Sequence, residues 1–433
     1  MRTRNLKFTS LRYGGARFVS RKFLAAAALI AFCVSLIACF QDQASEKRLK
    51  LLWFGSNEEN EAIQKLLTKF EVSHPGWTVE LQPVEWGRYK EKLLTMLVGR
   101  RAPDVARMTT FWCPRFGDLG AFADGRKYFN DEDLQDFDSG RLSSCRDGDH
   151  LNGLPHTSVG LLMFYNKTVA HRLGLAIPTS PETAWTWEEL EGVSRRFREE
   201  GGMRYGWATY RSWVPFLSFV YQGDGQMASP DGGGLRFLQP DNLRTLTWFV
   251  EQHRSGMAPP SAWTHGDSGE TLFMRGICPM VITGNWRLVL FNDRIDTFEW
   301  DVTYLPRDRR VATNTAGENL MVFKTRNEKM AFELVRFLTS PESMTEFCSE
   351  VLFLPTRESL ATADFPFERF RPQLQKFQQQ GRFFESDWAK EQSDSKFSDI
   401  QEELEKQIEL CILGQTTPEQ ALKALDESYR SNW

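Results

Sequence analysis

The chain has 433 residues, 41% of them hydrophobic and 25% charged, with a net charge of −4. That length exceeds one ordinary core and predicts two lobes of roughly 150 to 200 residues, while the balance of apolar and charged residues excludes a disordered or fibrous chain. The lack of a basic excess argues against nucleic acid as a partner.

Seven basic and no acidic residues occur up to Lys22, and an apolar run follows from Phe23 to Ala38. This is the layout of a secretory signal, and a run of about 16 residues is short for a membrane span of roughly 20. The run ends in Leu36-Ile37-Ala38-Cys39, which resembles the lipobox of bacterial lipoproteins. The resemblance implies a signal peptide over 1–38, lipid on Cys39 and a lipid-anchored tether over 39–48. An uncleaved anchor helix is the alternative; either way the rest of the chain lies outside the cytoplasm, on the periplasmic or extracellular face. Loss of the seven leader charges takes the net charge from −4 to −11.

The first element of the fold is Leu51-Leu52-Trp53-Phe54, an apolar run that predicts a buried strand. Ser56 with Glu59 forms a capping box that opens a helix, with Ile63, Leu66, Leu67 and Phe70 at helical spacing, and His74-Pro75-Gly76 ends it. Thr78 to Val84 reads as a strand, Tyr89 to Val98 as a helix and Asp104 to Met108 as a strand, which together make an α/β lobe with a largely parallel sheet. In such sheets ligands bind outside the carboxyl ends of strands, and Trp53 to Ser56 and Thr109 to Trp112 both fall there. The texture repeats with a strand over Leu161–Tyr165, a helix over Asn166–Leu173 and a second capping box, Thr186 with Glu189. Tyr205 to Asp231 is too irregular for a single element; Leu243–His253 and Gly269–Met274 read as helices, and Pro279–Thr283 as a strand that delivers Gly284-Asn285-Trp286. Helices follow over Glu328–Leu338, after Ser340-Pro341, and over Ser398–Tyr429 with a break at Gly414.

Motifs for zinc proteases, P-loop nucleotide binding and dinucleotide binding are absent from the sequence, so no cofactor is expected. Gly266-Asp267-Ser268-Gly269-Glu270 resembles a protease nucleophile loop, but an alternating α/β chain lacks the double barrel that such a triad needs, and Ser268 reads as a helix cap. Past Cys39 come Cys113, Cys145, Cys278, Cys348 and Cys411, with no C-x-x-C pair; buried thiols are the simpler reading, and a Cys113–Cys145 disulfide stays open. The informative residues are aromatic: Trp86, Trp112, Trp207, Trp213, Trp263 and Trp286 stand beside glycines, polar residues or strand ends. An indole covers the C–H face of a sugar ring, and carboxylate, amide and guanidinium groups bond its hydroxyl rim. With Glu85, Asn285, Glu318 and Arg357 nearby in type and placement, the set reads as a carbohydrate surface.

The order of segments resembles the family 1 extracellular solute-binding proteins of bacterial ABC importers. The marks are Ala102-Pro103-Asp104-Val105, Phe164-Tyr165-Asn166-Lys167, Thr186-Trp187-Glu188-Glu189-Leu190, Phe273-Met274-Arg275-Gly276, Gly284-Asn285-Trp286, Gly317-Glu318-Asn319 and Leu338-Thr339-Ser340-Pro341-Glu342. The resemblance implies an α/β periplasmic-binding-protein-like fold: an N-terminal lobe over 49–156 with about 313–350, a C-terminal lobe over 157–312 with about 351–433, and hinge crossings near Leu154–Gly160, Leu305–Thr313 and Cys348–Thr356. It implies Trp112, Trp286 and a Gly317-Glu318-Asn319 turn as ligand contacts, with Asn285, Glu85, Trp207, Trp263 and Arg357 beside them. It also implies a monomer without enzymatic activity that takes a carbohydrate ligand to ABC importer permease subunits. The alternatives are a secreted carbohydrate-active enzyme using a carboxylate pair, and a binding protein for glycerol phosphate or peptide.

Overall fold

The computed structural model describes residues 47–229, 234–264, 266–362, 364–392 and 395–431. The leader, the lipobox and Cys39 lie outside them. The chain divides into a unit of 1–48 with 76–78 and a unit of 49–75 with 79–433, and the site lies wholly in the second.

Two sheets organise the α/β fold. The first contains β1 (Lys47–Trp53), β2 (Trp77–Pro83), β3 (Val105–Thr109), β4 (Gly153–Val159), β9 (Ala316–Val322) and β10 (Leu354–Pro355), in the order β10-β4-β9-β3-β1-β2. The second contains β5 (Leu161–Asn166), β6 (Ala208–Thr209), β7 (Met280–Gly284) and β8 (Trp300–Thr303), in the order β8-β5-β7-β6. β3 and β5 are buried along their whole length, as expected for strands covered by helices on both faces. β1 runs parallel to β3, with Leu51 beside Val105, and β9 enters antiparallel between β3 and β4.

Both predicted capping boxes form. Ser56 Oγ accepts from the Glu59 N–H at 3.2 Å while Glu59 accepts from the Ser56 N–H at 3.0 Å, and the helix Asn57–Ser73 buries Ile63, Leu66, Leu67 and Phe70. Thr186 and Glu189 exchange the same pair of bonds at 3.1 and 2.7 Å. Within the irregular Tyr205–Asp231 stretch stands the helix Trp213–Gln222. All of its residues are buried, so it lacks the polar face that would have betrayed its period.

The chain leaves the first sheet at Gly160, the one residue between β4 and β5. The 156/157 boundary expected from sequence lies inside β4, because Thr157 and Ser158 pair with β9 and β10. The chain returns between Thr303 and Ala316. Its last passage falls after Ser359, which bonds Asp136 of the first lobe, and before Gln373, which bonds Asp301 of the second. That is later than Cys348–Thr356, because Leu354 and Pro355 pair with β4. The five described cysteines are all buried and free.

Candidate functional site

Phe54 to Ser56, Val84 to Trp86 and Thr109 to Trp112 follow the carboxyl ends of β1, β2 and β3, and antiparallel β9 begins at the same edge with Ala316 to Glu318. Aromatic rings gather there. The Trp86 and Trp112 indoles stack with centroids 4.7 Å apart and planes 19° apart, and Tyr89 lies parallel to Trp112 at 5.9 Å. Phe54 meets Trp86 and Tyr89 edge-on at 4.8 and 4.9 Å. Trp86 keeps 48% of its surface exposed, so this wall has one accessible indole backed by a buried one. Glu85 also stands in solvent, 3.8 Å from Arg88.

On the second lobe, Tyr210 follows β6 and Trp286 follows β7, their rings edge-on at 5.9 Å. A Cβ on Gly284 would lie 1.8 Å from the Trp286 ring, so glycine is what lets this half-buried indole fold back on its strand. Glu270 fixes the neighbouring Arg287, with Oε1 accepting from Arg287 Nε at 2.8 Å and from Thr283 Oγ1 at 2.6 Å. Phe111 and Trp213 touch edge-on at 5.1 Å, joining the end of β3 to the helix Trp213–Gln222.

Beneath the first wall lies a largely buried charged cluster. Arg107 donates to Phe54 O at 2.7 Å, pairs with Glu59 and lies 4.4 Å from the Trp53 ring centre. Its second nitrogen is 3.7 Å from Glu318, whose Oε2 also accepts from Thr157 Oγ1 at 2.6 Å. Burial raises the Glu318 pKa above its usual value, against the opposing pull of Arg107 and the Thr157 bond. Between the lobes is a cavity of about 210 Å³ lined by Thr110, Ser139, Arg141, Ser144, Thr315 and Gln392, among others.

The residues expected from sequence separate into groups. Trp112 and Glu318 lie at the cleft edge, and Trp286 on the opposing lobe. Gly317, Glu318 and Asn319 form no turn but open β9, with an irregular register between Glu318 and Asn319. Gly317 accepts from the Thr110 N–H at 2.9 Å, and a Cβ there would lie 2.7 Å from Thr157 O and 3.0 Å from Arg141 Nη1.

The others are taken up by the protein itself. Asn319 is buried and donates to Ser144 Oγ at 2.9 Å and to Cys113 Sγ. Asn285 accepts from the Gly160 N–H at 3.0 Å and donates to Leu352 O at 2.8 Å. Trp207 and Trp263 are entirely buried against Phe249, a helical core position rather than a ligand platform. Arg357 bonds Thr339 O and Asp136 and lies over the Phe137 ring, so its fork is occupied. Ser268 caps the helix Gly269–Met274, accepting from Thr271 N at 3.2 Å.

Sequence reasoning missed Arg107, Arg141, Tyr210 and Glu270. Arg107 had a signal, a lone charge inside the buried run Val105–Met108. Arg141 had none, since it stands in an ordinary polar stretch that folds as the short helix Ser139–Ser143. Among the described residues no helix is long and apolar enough to cross a membrane, and no cluster of metal-ligating side chains occurs.

The sn-glycerol-3-phosphate-binding periplasmic protein UgpB of Salmonella typhimurium is 21% identical over 348 residues, covering 74% of this chain and 77% of UgpB. The ABC substrate-binding protein Lmo0181 from Listeria monocytogenes, solved with cycloalternan, superposes with a TM-score of 0.77 at 20% identity, over 89% of this chain and 98% of that one. The GacH receptor of Streptomyces glaucescens, solved unliganded and with acarbose, gives 0.76 at 19% identity, over 89% and 97%. These likenesses establish the two-lobed periplasmic-binding-protein fold. The sequence profile of the bacterial extracellular solute-binding proteins matches residues 55–345, and the chain belongs to that family.

Proposed function

We propose that the protein captures a carbohydrate outside the cytoplasmic membrane and hands it to the permease subunits of an ABC importer. The observation that carries this reading is the Trp86–Trp112 stack, an accessible indole at the carboxyl edge of the first sheet with Glu318 at the start of neighbouring β9. Trp286 and Tyr210 stand at the corresponding strand ends of the second sheet. Flat apolar faces beside fixed hydrogen-bonding groups suit a polyol ring. Structurally similar proteins solved with cycloalternan and with acarbose support the same ligand class.

Sugar held by both lobes favours the closed arrangement, and the crossing at Gly160 and the passages after Thr303 and Ser359 are the hinges about which closure occurs. The permease reads the closed state, so capture and release require no bond to be made or broken. Lipid on Cys39 keeps the protein, a monomer, beside its membrane.

Isothermal titration of the purified protein with mono- to oligosaccharides, followed by product chromatography, tests this reading. One-to-one binding with the sugar recovered intact is expected. Turnover of the sugar would instead identify a carbohydrate-active enzyme, and no binding across the panel would remove the carbohydrate reading.

A further inference from the structure

Four arginines that sequence or structure placed near the candidate site are satisfied by carboxylates. Arg107 pairs with Glu59, Arg211 with Glu405 and Glu409, Arg287 with Glu270, and Arg357 with Asp136. Arg141 differs. Among the described residues it makes no ion pair, and its side chain has one hydrogen bond, a long one of 3.4 Å to Ala316 O. It lines the 210 Å³ cavity between the lobes, and Gly317 leaves open the space beside its Nη1, where a Cβ would lie at 3.0 Å. The nearest carboxylates are otherwise engaged. Asp138 accepts from the Arg141 backbone N–H at 2.8 Å, and Glu318 is held by Thr157 and Arg107.

A partly desolvated guanidinium whose neighbouring carboxylates, Asp138 and Glu318, make no direct ion pair with it keeps its fork free, and that planar fork matches an oxyanion. Beside Arg141 the lining offers hydroxyls on Thr110, Ser139, Ser144 and Thr315 and an amide on Gln392, together with one carboxylate, Asp138, which accepts the Arg141 backbone N–H. Resting on the carbohydrate reading above, we infer that Arg141 is a specificity-determining residue and that the ligand is a sugar or polyol bearing a carboxylate or phosphate. The oxyanion binds the Arg141 fork, the hydroxyls of the cavity hold the adjoining polyol, and the Trp86–Trp112 wall takes the remaining ring. Carboxylate and phosphate are alike to the fork, so the two sources are separated by experiment.

The test is isothermal titration with matched probes: glucose, galactose and mannose, each against its uronic acid and its 6-phosphate, with glycerol against sn-glycerol 3-phosphate. At least one anionic probe is expected to bind tenfold or more tightly than its neutral partner. Arg141→Met is expected to abolish that preference, Arg141→Lys to retain part of it, and both to melt within a few degrees of wild type. Neutral probes that bind as tightly as their anionic partners, or a preference that survives in Arg141→Met, would overturn the inference and leave the carbohydrate reading intact. Binding by neither kind, with neutral oligosaccharides also failing, would remove both.

Discussion

The side-chain oxygen of Asn285 accepts the backbone N–H of Gly160 at 3.0 Å, so the end of β7 grips the single residue through which the chain leaves the first sheet. The same amide donates to Leu352 O, a left-handed residue just before β10. Asn285 precedes Trp286, which makes it a mechanical link between a candidate ligand contact and the hinge. Asn285→Ala leaves a buried N–H and a buried carbonyl unmatched, at a cost of about 1–3 kcal/mol each. We expect lower stability in urea and a changed distribution of open and closed forms in small-angle scattering; an unaltered scattering profile with and without sugar would remove the hinge role.

Trp112 and Trp207 are both buried tryptophans with opposite expected phenotypes. Trp112→Ala takes away the backing of the exposed Trp86 ring and should weaken sugar binding at least tenfold. Trp207→Ala empties a core position, at a cost of about 3–5 kcal/mol, while the fraction that remains folded should bind with unchanged affinity. Titration calorimetry paired with thermal melts reads both effects.

The fit between Gly284 and the Trp286 indole leaves no room for a methyl group. Gly284→Ala should displace the ring, change the intrinsic fluorescence and weaken binding to the extent seen for Trp286→Ala, itself expected to lose at least tenfold without unfolding. If Gly284→Ala binds as wild type does, the orientation of Trp286 does not matter to the ligand.

Glu391 is fully buried, and desolvation pushes its pKa from 4.5 up to about 8 even though its carboxylate accepts from the Met227 N–H at 3.0 Å. The folded protein therefore keeps this proton up to about pH 8, while the unfolded chain releases it above about pH 4.5. Stability from the group is complete below pH 4.5 and is lost as pH rises toward 8. Glu391→Gln, which keeps the acceptor and removes the titration, should match wild type near pH 4.5 and melt clearly higher than wild type at pH 8. Parallel melting curves at all pH values would show that Glu391 does not titrate in this window.

Local signals were readable where short-range chemistry decides the structure. Ser56 with Glu59 and Thr186 with Glu189 announced their helices because both partners of each capping box lie within one turn. The apolar run at Leu51 gave a strand for a related reason, since burial on both faces leaves only apolar positions. The site was read less well. Trp207 and Trp263 resembled ligand platforms because they neighbour glycine, alanine and threonine, but helices distant in sequence cover them. Arg357 finds Asp136 across 221 positions and Asn285 finds Gly160 across 125, pairings that no local pattern encodes. The family resemblance implied a turn at Gly317-Glu318-Asn319, whereas the glycine serves close approach of β9 to Thr157.

β9 lies between β3 and β4 although it follows the whole second sheet in the chain. A ribosome, emitting the N-terminus first, thus produces a split sheet whose two inner edges stay unpaired until residue 322 has emerged. Unpaired edges recruit other chains, and closing so long a loop slows folding. A truncation ending before Ala316 is therefore expected to aggregate even though it contains the whole aromatic wall of Phe54, Trp86, Tyr89 and Trp112.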